Sequence, residues 1–231
     1  MCDAAVWAPQ IEALGSRVDC HVPGYGERDS LAAMAEHVLA TAPGGRFALA
    51  GHSMGGRVAF EILRRAPERV ERLALLDTSC HPLPAGPAGA AERAQRYALL
   101  ETARTRGMRT MAHDWAAGMV HPGRRGTALY EAVLDMIERS TPAVFAAQIE
   151  ALLARPDATV LLGSIRCPTL LLCGRDDAWS PPSRHEFMRD RIARAQLVVV
   201  EECGHMSTME QPAAVNAAFS AWIDAPAILA H

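Results

Sequence analysis

The residues of this chain best suited to chemistry are the six at positions 51–56, which read Gly-His-Ser-Met-Gly-Gly. They lie between an apolar run, Arg46–Ala50, and a stretch of helical spacing that begins at Arg57. A Gly-x-Ser-x-Gly sequence between a strand and a helix is typical of a nucleophile elbow, a strained turn in which flanking side chains would collide with the strand and the helix. The glycines at 51 and 55 are expected to avoid that collision. Because the turn would present the hydroxyl at a helix N-terminus, where N–H groups favour negative charge, Ser53 is predicted to be an acyl-transfer nucleophile.

A serine hydroxyl is a weak nucleophile near neutral pH, so it needs a histidine base that a third group, usually a carboxylate, holds in place. Of the nine histidines, His205 is the preferred base because it follows a predicted strand, which places it at the same sheet edge as Ser53. Gly204 is expected to let its ring turn inward. His52 should point away from Ser53 and pack in the core or line the pocket. The remaining histidines are interpreted as structural or exposed (His21, His37, His185, His231) or as weaker candidates for substrate contact (His81, His113, His121).

The third group is predicted to be Asp177. It lies in an acidic loop that follows an apolar run, Leu170–Cys173, and the sequence Gly174-x-x-Asp177 is typical of a turn that aims a carboxylate at a histidine. Asp176 is less favoured by this spacing. Asp77, at the end of the preceding predicted strand, is the alternative, and it would otherwise be a loop-capping carboxylate.

The order of serine, aspartate and histidine along the chain is that of the α/β-hydrolases. The segments 51–56, 173–181 and 203–212 resemble the three landmark segments of that superfamily, in its branch of capped serine hydrolases of small substrates. The likeness extends from about Asp3 to Ile223. It implies an α/β fold, with a mostly parallel sheet, helices on both faces and a helical lid.

The resemblance also implies a role for each residue that matches these segments. Ser53 attacks the substrate, His205 carries the proton, Asp177 orients the histidine, and the N–H of Met54 belongs to the oxyanion hole. Relatives without a serine at this position, such as dehalogenases with a nucleophilic aspartate, are excluded by Ser53. Members that cleave C–C bonds or act as haloperoxidases share the triad and are not separated from esterases by sequence.

One landmark of the superfamily is not found in this sequence. Relatives carry a strand and a His-Gly or Pro-Gly turn, which supplies a second oxyanion donor, before the segment that here begins at Cys2. In the sheet that strand would lie between the strands ending near Val22 and Ala50. We therefore expect the functional protein to begin upstream of Met1. Unless the flanking strands pair directly, their open edges favour pairing with another chain. The 231 residues alone are therefore expected to be poorly soluble, to form a homo-oligomer or to be weakly active.

Composition excludes several classes of function. The net charge is −3 and the pI is about 6.3, so neither a nucleic acid partner nor a polybasic membrane anchor is expected. No apolar run is long enough to span a membrane and no signal peptide is recognisable, which predicts a cytoplasmic protein. All 23 basic residues are arginine, which excludes a Schiff-base lysine. The six cysteines lack metal-ligand spacing, so we expect free thiols, no metal site and no cofactor.

The elements that must position these residues follow from hydrophobic patterning. The predicted strands are Arg17–Val22, Arg46–Ala50, Arg72–Asp77, Thr169–Cys173 and Leu197–Glu201. The predicted helices outside the lid are Ala5–Leu14, Ser30–Ala42, Gly55–Arg65, Ser183–Ile192 and Pro212–Ile223. The alternation of strands and helices predicts a parallel sheet covered by helices.

The segment 82–164 interrupts this alternation because it has no strand pattern. Its predicted helices are Ala90–Arg106, Met108–Ala117, Thr127–Arg139 and Pro142–Leu153. We expect it to form a lid over the carboxyl edge of the sheet, with residues 1–81 and 165–231 forming the core. Candidate pocket residues are Trp179, His52, Trp115 and Met119, with Met108, Met111 and Phe145 as further possibilities.

Together these observations predict a serine hydrolase of a small ester, thioester or lactone that works through an acyl-enzyme. The expected partner is a small acyl substrate. Two alternatives stay open: a C–C hydrolase or haloperoxidase of the same fold, and a non-catalytic ligand-binding or interaction protein derived from it.

Overall fold

The computed structural model describes residues 1–226. One sheet of four parallel strands has the spatial order β1-β2-β3-β4, which is also the order along the chain. The strands are β1 (Phe47–His52), β2 (Val70–Leu76), β3 (Thr169–Gly174) and β4 (Ala195–Val200). The α-helices are α1 (Ala8–Leu14), α2 (Leu31–Thr41), α3 (Met54–Arg65), α4 (Pro87–Arg106), α5 (Met108–Ala116), α6 (Ala128–Glu138), α7 (Pro142–Leu153), α8 (Pro182–Arg189), α9 (Ser207–Glu210) and α10 (Pro212–Asp224).

Helices cover both faces of the sheet, as predicted. Along β2, Leu73 and Leu75 face a core formed with α2, α3 and α8, while Ala74 and Leu76 face a core formed with α1 and α10. This alternation follows from the two-residue repeat of a strand. β3 is buried along its whole length. Burial on both faces explains why the central strands read as continuous apolar runs.

The segment 17–22 is not a strand, so that prediction is wrong. It follows α1 as a turn and an irregular, mostly exposed stretch. Within residues 1–226 no backbone hydrogen bond joins it to β1, and a cavity separates the two. A strand needs a neighbouring strand to pair its backbone groups. Val18, Cys20 and Val22 alternate as in a strand, but their segment has no such neighbour in the described part of the chain. β1 is consequently an edge strand of the described sheet, with Ala48 exposed.

The other predicted elements form within a few residues of their expected ends. Ser30 caps α2, since its hydroxyl accepts a hydrogen bond from the N–H of Ala33 at 3.2 Å. The short helix α9 was not predicted because four residues carry no periodic signal. The segment 82–164 contributes α4–α7 and no strand, and its helices pack around their own apolar cluster. In the described part of the chain, no helix has the length and apolar character needed to cross a membrane.

Candidate active site

Ser53 lies between β1 and α3 in a strained turn, with φ 53° and ψ −114°. A Cβ at Gly51 would lie 2.4 Å from the carbonyl oxygen of Gly55, so the expected collision is correct at position 51. At position 55 the expectation is wrong, because an added Cβ would make only an ordinary van der Waals contact. The second essential glycine is Gly56, where a Cβ would lie 2.6 Å from Cγ2 of Thr78. Close packing of α3 on the loop after β2 therefore forms the elbow.

The structure brings the three residues of the predicted triad together. The Ser53 hydroxyl donates to Nε2 of His205 at 2.8 Å, and Nδ1–H of His205 donates to Oδ2 of Asp177 at 2.8 Å. The other carboxylate oxygen accepts from the N–H groups of Trp179 at 2.8 Å and Ser180 at 2.9 Å. Burial opposes ionisation of Asp177, but His205 and these N–H donors lower its pKa below the usual value. The carboxylate is thus held ionised and in a single orientation.

The alternative carboxylates lie elsewhere. Asp77 is fully buried, and it accepts from the hydroxyl of Ser207 at 2.5 Å and from the N–H of Gly174 at 3.1 Å. It therefore ties together the loops that follow β2, β3 and β4. Asp176 lies 3.8 Å from Nε2 of His121, and its side chain is 41% exposed. Only Asp177 of these three carboxylates is hydrogen-bonded to His205.

His52 forms a second buried histidine–carboxylate pair beneath the first. Its Nε2–H donates to the backbone carbonyl of His205 at 2.7 Å and lies 3.3 Å from Oδ2 of Asp77. Burial disfavours the charged ring, but the neighbouring Asp77 and Cys2 side chains outweigh it and raise the pKa of His52 to about 10. A protonated His52 therefore supports the His205 backbone through its carbonyl oxygen.

Glu210, which the sequence did not indicate, clamps the backbone around His205. One carboxylate oxygen accepts from the N–H groups of Gly204 and Met206, both at 3.1 Å, and the other accepts from that of His121 at 2.7 Å. Burial raises the pKa of Glu210 despite these donors. The one sign of this role in the sequence was the position of Glu210 within the landmark segment 203–212. A carboxylate that binds backbone N–H groups leaves no periodic pattern in the sequence.

The His205 loop also contacts the segment 82–164 directly. The N–H of His205 donates to the carbonyl of Met119 at 2.6 Å. A Cβ at Gly204 would lie 2.7 Å from the backbone of Val120 and His121. Gly204 is needed for this close approach, whereas its expected role was to let the histidine ring turn inward.

A cavity of about 1450 Å³ opens beside Ser53 and His205. All four candidate pocket residues, Trp179, His52, Trp115 and Met119, contribute to its wall, and so does Phe145. The Trp179 ring lies 4.9 Å from that of His205 and stacks on Trp115 at 5.4 Å. Met108, Met111, His81, His113 and His121 do not line it.

The remaining histidines take structural or peripheral positions, apart from His21, which borders the cavity. His185 is buried and accepts from the N–H of Thr78 at 3.2 Å, and burial lowers its pKa, so the ring is neutral. His37 contacts Arg28 at 3.0 Å. His231 lies outside the described residues. Between residues 1 and 226 no cluster of three His, Cys, Asp or Glu side chains is arranged to hold a metal ion.

Comparison with known proteins agrees with this geometry. The profile of the alpha/beta hydrolase family matches residues 2–218, so the chain belongs to that family and is a hydrolase. A pimeloyl-[acyl-carrier protein] methyl ester esterase of Nitrosomonas europaea is 28% identical over 94% of this chain and 90% of its own length. A putative carbamate hydrolase of Stutzerimonas stutzeri is 25% identical over 92% of this chain and 84% of its own.

Solved structures show the same fold. A thermophilic esterase from Thermogutta terrifontis, solved with malate bound, has a TM-score of 0.81 and 30% identity, covering 96% of this chain and 85% of its own. The enol-lactonase of Burkholderia xenovorans has a TM-score of 0.80 at 22% identity, and the match covers 96% of this chain and 87% of the lactonase. The predicted fold class, a parallel sheet with helices on both faces, is confirmed.

Proposed function

We propose that this protein is a serine hydrolase that cleaves a small ester, thioester or lactone through an acyl-enzyme on Ser53. The observation that carries the proposal is the continuous hydrogen-bonded series from Ser53 through His205 to Asp177, at the wall of a cavity large enough for a small acyl compound. The esterase and lactonase names of its relatives support the same bond type.

In acylation, Nε2 of His205 accepts the proton of the Ser53 hydroxyl as Oγ attacks the substrate carbonyl. Asp177 stabilises the imidazolium that forms, because its carboxylate is already ionised and bonded to Nδ1–H. The imidazolium then returns the proton to the leaving group. Water, activated by the same ring, releases the acid and restores Ser53.

The negative charge on the carbonyl oxygen develops at the start of α3. Met54 is the first residue of that helix, so its N–H has no acceptor four residues earlier. An N–H there, with the helix dipole behind it, stabilises an oxyanion. We therefore assign one oxyanion donor to Met54.

Covalent labelling of Ser53 tests this proposal. A fluorescent organophosphonate should label the wild-type chain at one site, with labelling abolished in Ser53→Ala and strongly reduced in His205→Ala. Ser164→Ala, which removes an exposed serine that does not line the cavity, is the matched control and should label normally. Labelling that persists in Ser53→Ala would overturn the assignment, and a ligand that binds without turnover would favour the non-catalytic alternative.

A further inference from the structure

Four arginines from distant parts of the chain meet in one region of the cavity wall. They are Arg57 on α3, Arg96 on α4, Arg155 just after α7 and Arg184 on α8. Ser53 lies in the same wall. One carboxylate, Glu92 on α4, accompanies them. Asp157 lies outside this wall, near His81, so four guanidinium groups and two carboxylates still leave the region with a surplus of positive charge.

Two of the arginines neutralise Glu92. Arg155 donates to both of its carboxylate oxygens at 2.7 Å, and Arg96 donates to Oε1 at 2.8 and 3.0 Å. Although burial opposes ionisation, these hydrogen bonds lower the pKa of Glu92 to about 2. Glu92 is therefore fully engaged by Arg155 and Arg96.

The other two arginines bond only to uncharged acceptors. Arg57 donates to the carbonyl oxygen of His81 at 2.8 Å, and Arg184 donates to the hydroxyl of Ser79 at 3.3 Å. Burial, and then the neighbouring guanidinium groups of Arg155 and Arg184, lower the pKa of Arg57. In the described part of the chain these two cations thus have no carboxylate partner. Both side chains are partly buried, and a cation partly removed from water without a counter-ion is destabilised, so such a site favours an anionic ligand.

The loop after β2 connects the two arginines to Ser53. The hydroxyl of Thr78 in that loop donates to the carbonyl oxygen of Ser53 at 2.7 Å. Arg184 bonds to Ser79 and Arg57 to His81 in the same loop. Because Ser53, Arg57 and Arg184 also line one cavity, we expect an ester held against Ser53 to reach the two guanidinium groups.

We propose that Arg57 and Arg184 form an anion-binding subsite, and that the substrate is a small ester bearing a carboxylate a few atoms from the scissile bond. A guanidinium binds a carboxylate through two parallel hydrogen bonds, which selects both charge and orientation. This inference rests on the proposed hydrolase function and specifies its substrate class.

The test compares charged esters with neutral esters of similar shape, and the decisive quantity is how each ratio changes in the arginine variants. The p-nitrophenyl monoester of glutarate carries the charge on the acyl side, 4-acetoxybenzoate carries it on the alcohol side, and p-nitrophenyl pentanoate is neutral. The neutral counterpart of the glutarate ester is p-nitrophenyl pentanoate, and that of 4-acetoxybenzoate is phenyl acetate. One of the two charged esters should have a higher kcat/KM than its counterpart. The charged ester that is preferred identifies the side of the substrate that faces the arginines. In Arg57→Gln and in Arg184→Gln this preference should fall about 10- to 100-fold, mainly through KM. Arg57→Lys should retain part of it.

The matched control is Arg93→Gln, which removes an exposed arginine of α4 that does not line the cavity and should leave every ratio unchanged. A wild-type enzyme that prefers both neutral esters, or a preference unchanged in both variants, would overturn the subsite. Glutarate binding to Ser53→Ala, followed by calorimetry, gives an answer independent of turnover. If glutarate binds to Ser53→Ala and this binding is lost in Ser53→Ala/Arg57→Gln, the subsite is supported. If the wild type also hydrolyses no ester, only the proposed hydrolase function fails.

Discussion

At the residue scale, two neighbouring histidine–carboxylate pairs support the candidate site. His205 is bonded to Asp177 through its ring, and its backbone carbonyl accepts from His52, which lies against Asp77. Asp177 would therefore orient the ring of His205, while His52 holds its backbone carbonyl. Both carboxylates are buried, so the replacement of either leaves unpaired donors.

Replacement of Asp177 by asparagine should lower kcat by about 10⁴, as the corresponding change does in a serine protease, because the amide favours the wrong imidazole tautomer. Steady-state hydrolysis of p-nitrophenyl pentanoate measures the effect. Asp176→Asn, an exposed change one residue earlier, is the control and should retain near wild-type activity. A loss of less than tenfold in Asp177→Asn would show that this carboxylate does not orient His205.

The interactions of His52 with Asp77 and Cys2 should make stability depend on pH. The pKa of His52 in the fold, about 10, lies above that of an unfolded histidine, about 6.5. The stabilisation is therefore complete below pH 6.5 and is lost as pH rises towards 10. We expect it to be of the order of a few kcal/mol.

Urea denaturation of wild type and His52→Gln between pH 6 and 10 measures this difference. The free energy of unfolding should differ most at pH 6 and converge near pH 10. His113→Gln, on the exposed face of α5, should give a curve parallel to wild type. A difference that stays constant with pH would mean that His52 is uncharged in the folded protein.

At the element scale, the site depends on the contact between the loop that carries His205 and the segment 119–121. Gly204→Ala should separate the two, since its Cβ would lie within 2.8 Å of three backbone atoms. We expect the free energy of unfolding to fall by about 1–3 kcal/mol, as at other overpacked sites, and kcat to fall strongly. Gly163→Ala, where an added Cβ has open space, is the matched control. Normal activity in Gly204→Ala would show that the contact does not position His205.

The division into a core, residues 1–81 and 165–231, and a lid, residues 82–164, remains a prediction. If the lid sets the acyl pocket, exchange of residues 82–164 for the matching segment of a relative should change the preferred acyl chain while Ser53 still reacts with an organophosphonate. Competition among p-nitrophenyl esters of increasing chain length measures the preference. An unchanged preference would place specificity in the loops of the core.

At the scale of the whole molecule, the open edge of β1 is the main irregularity of the described fold. The cavity next to it extends from the segment 18–25 to Ser53, so the candidate site is continuous with this gap. Unpaired backbone groups on an edge strand can pair with another chain. If the chain forms the predicted homo-oligomer, we expect this edge to be part of the interface.

We expect the 231-residue chain to associate increasingly with concentration and Ala48→Lys to reduce the association, because a charge on an edge strand opposes pairing. Sedimentation velocity over a range of concentrations is the measurement. Val160→Lys removes an apolar side chain that is 74% exposed but lies away from β1, so it should not change the association. Equal effects of the two substitutions would implicate general surface hydrophobicity instead.

Local sequence by itself determined the nucleophile elbow, most helices and four strands. Strand–turn–helix patterns and the steric demand for glycine act over a few residues, so they can be read without the fold. The choice of Ser53, Asp177 and His205 also followed from motifs, and the structure brings these three together. Their catalytic roles remain proposals that labelling and kinetics test.

Tertiary structure alone decided the long-range features. The segment 17–22 has the alternation of a strand but no partner, and pairing is not a local property. Glu210 and Asp77 bind backbone groups on separate loops, which leaves no period in the sequence. The arginine cluster draws on three helices and the loop after a fourth, so its charge becomes concentrated only when those elements pack around one cavity.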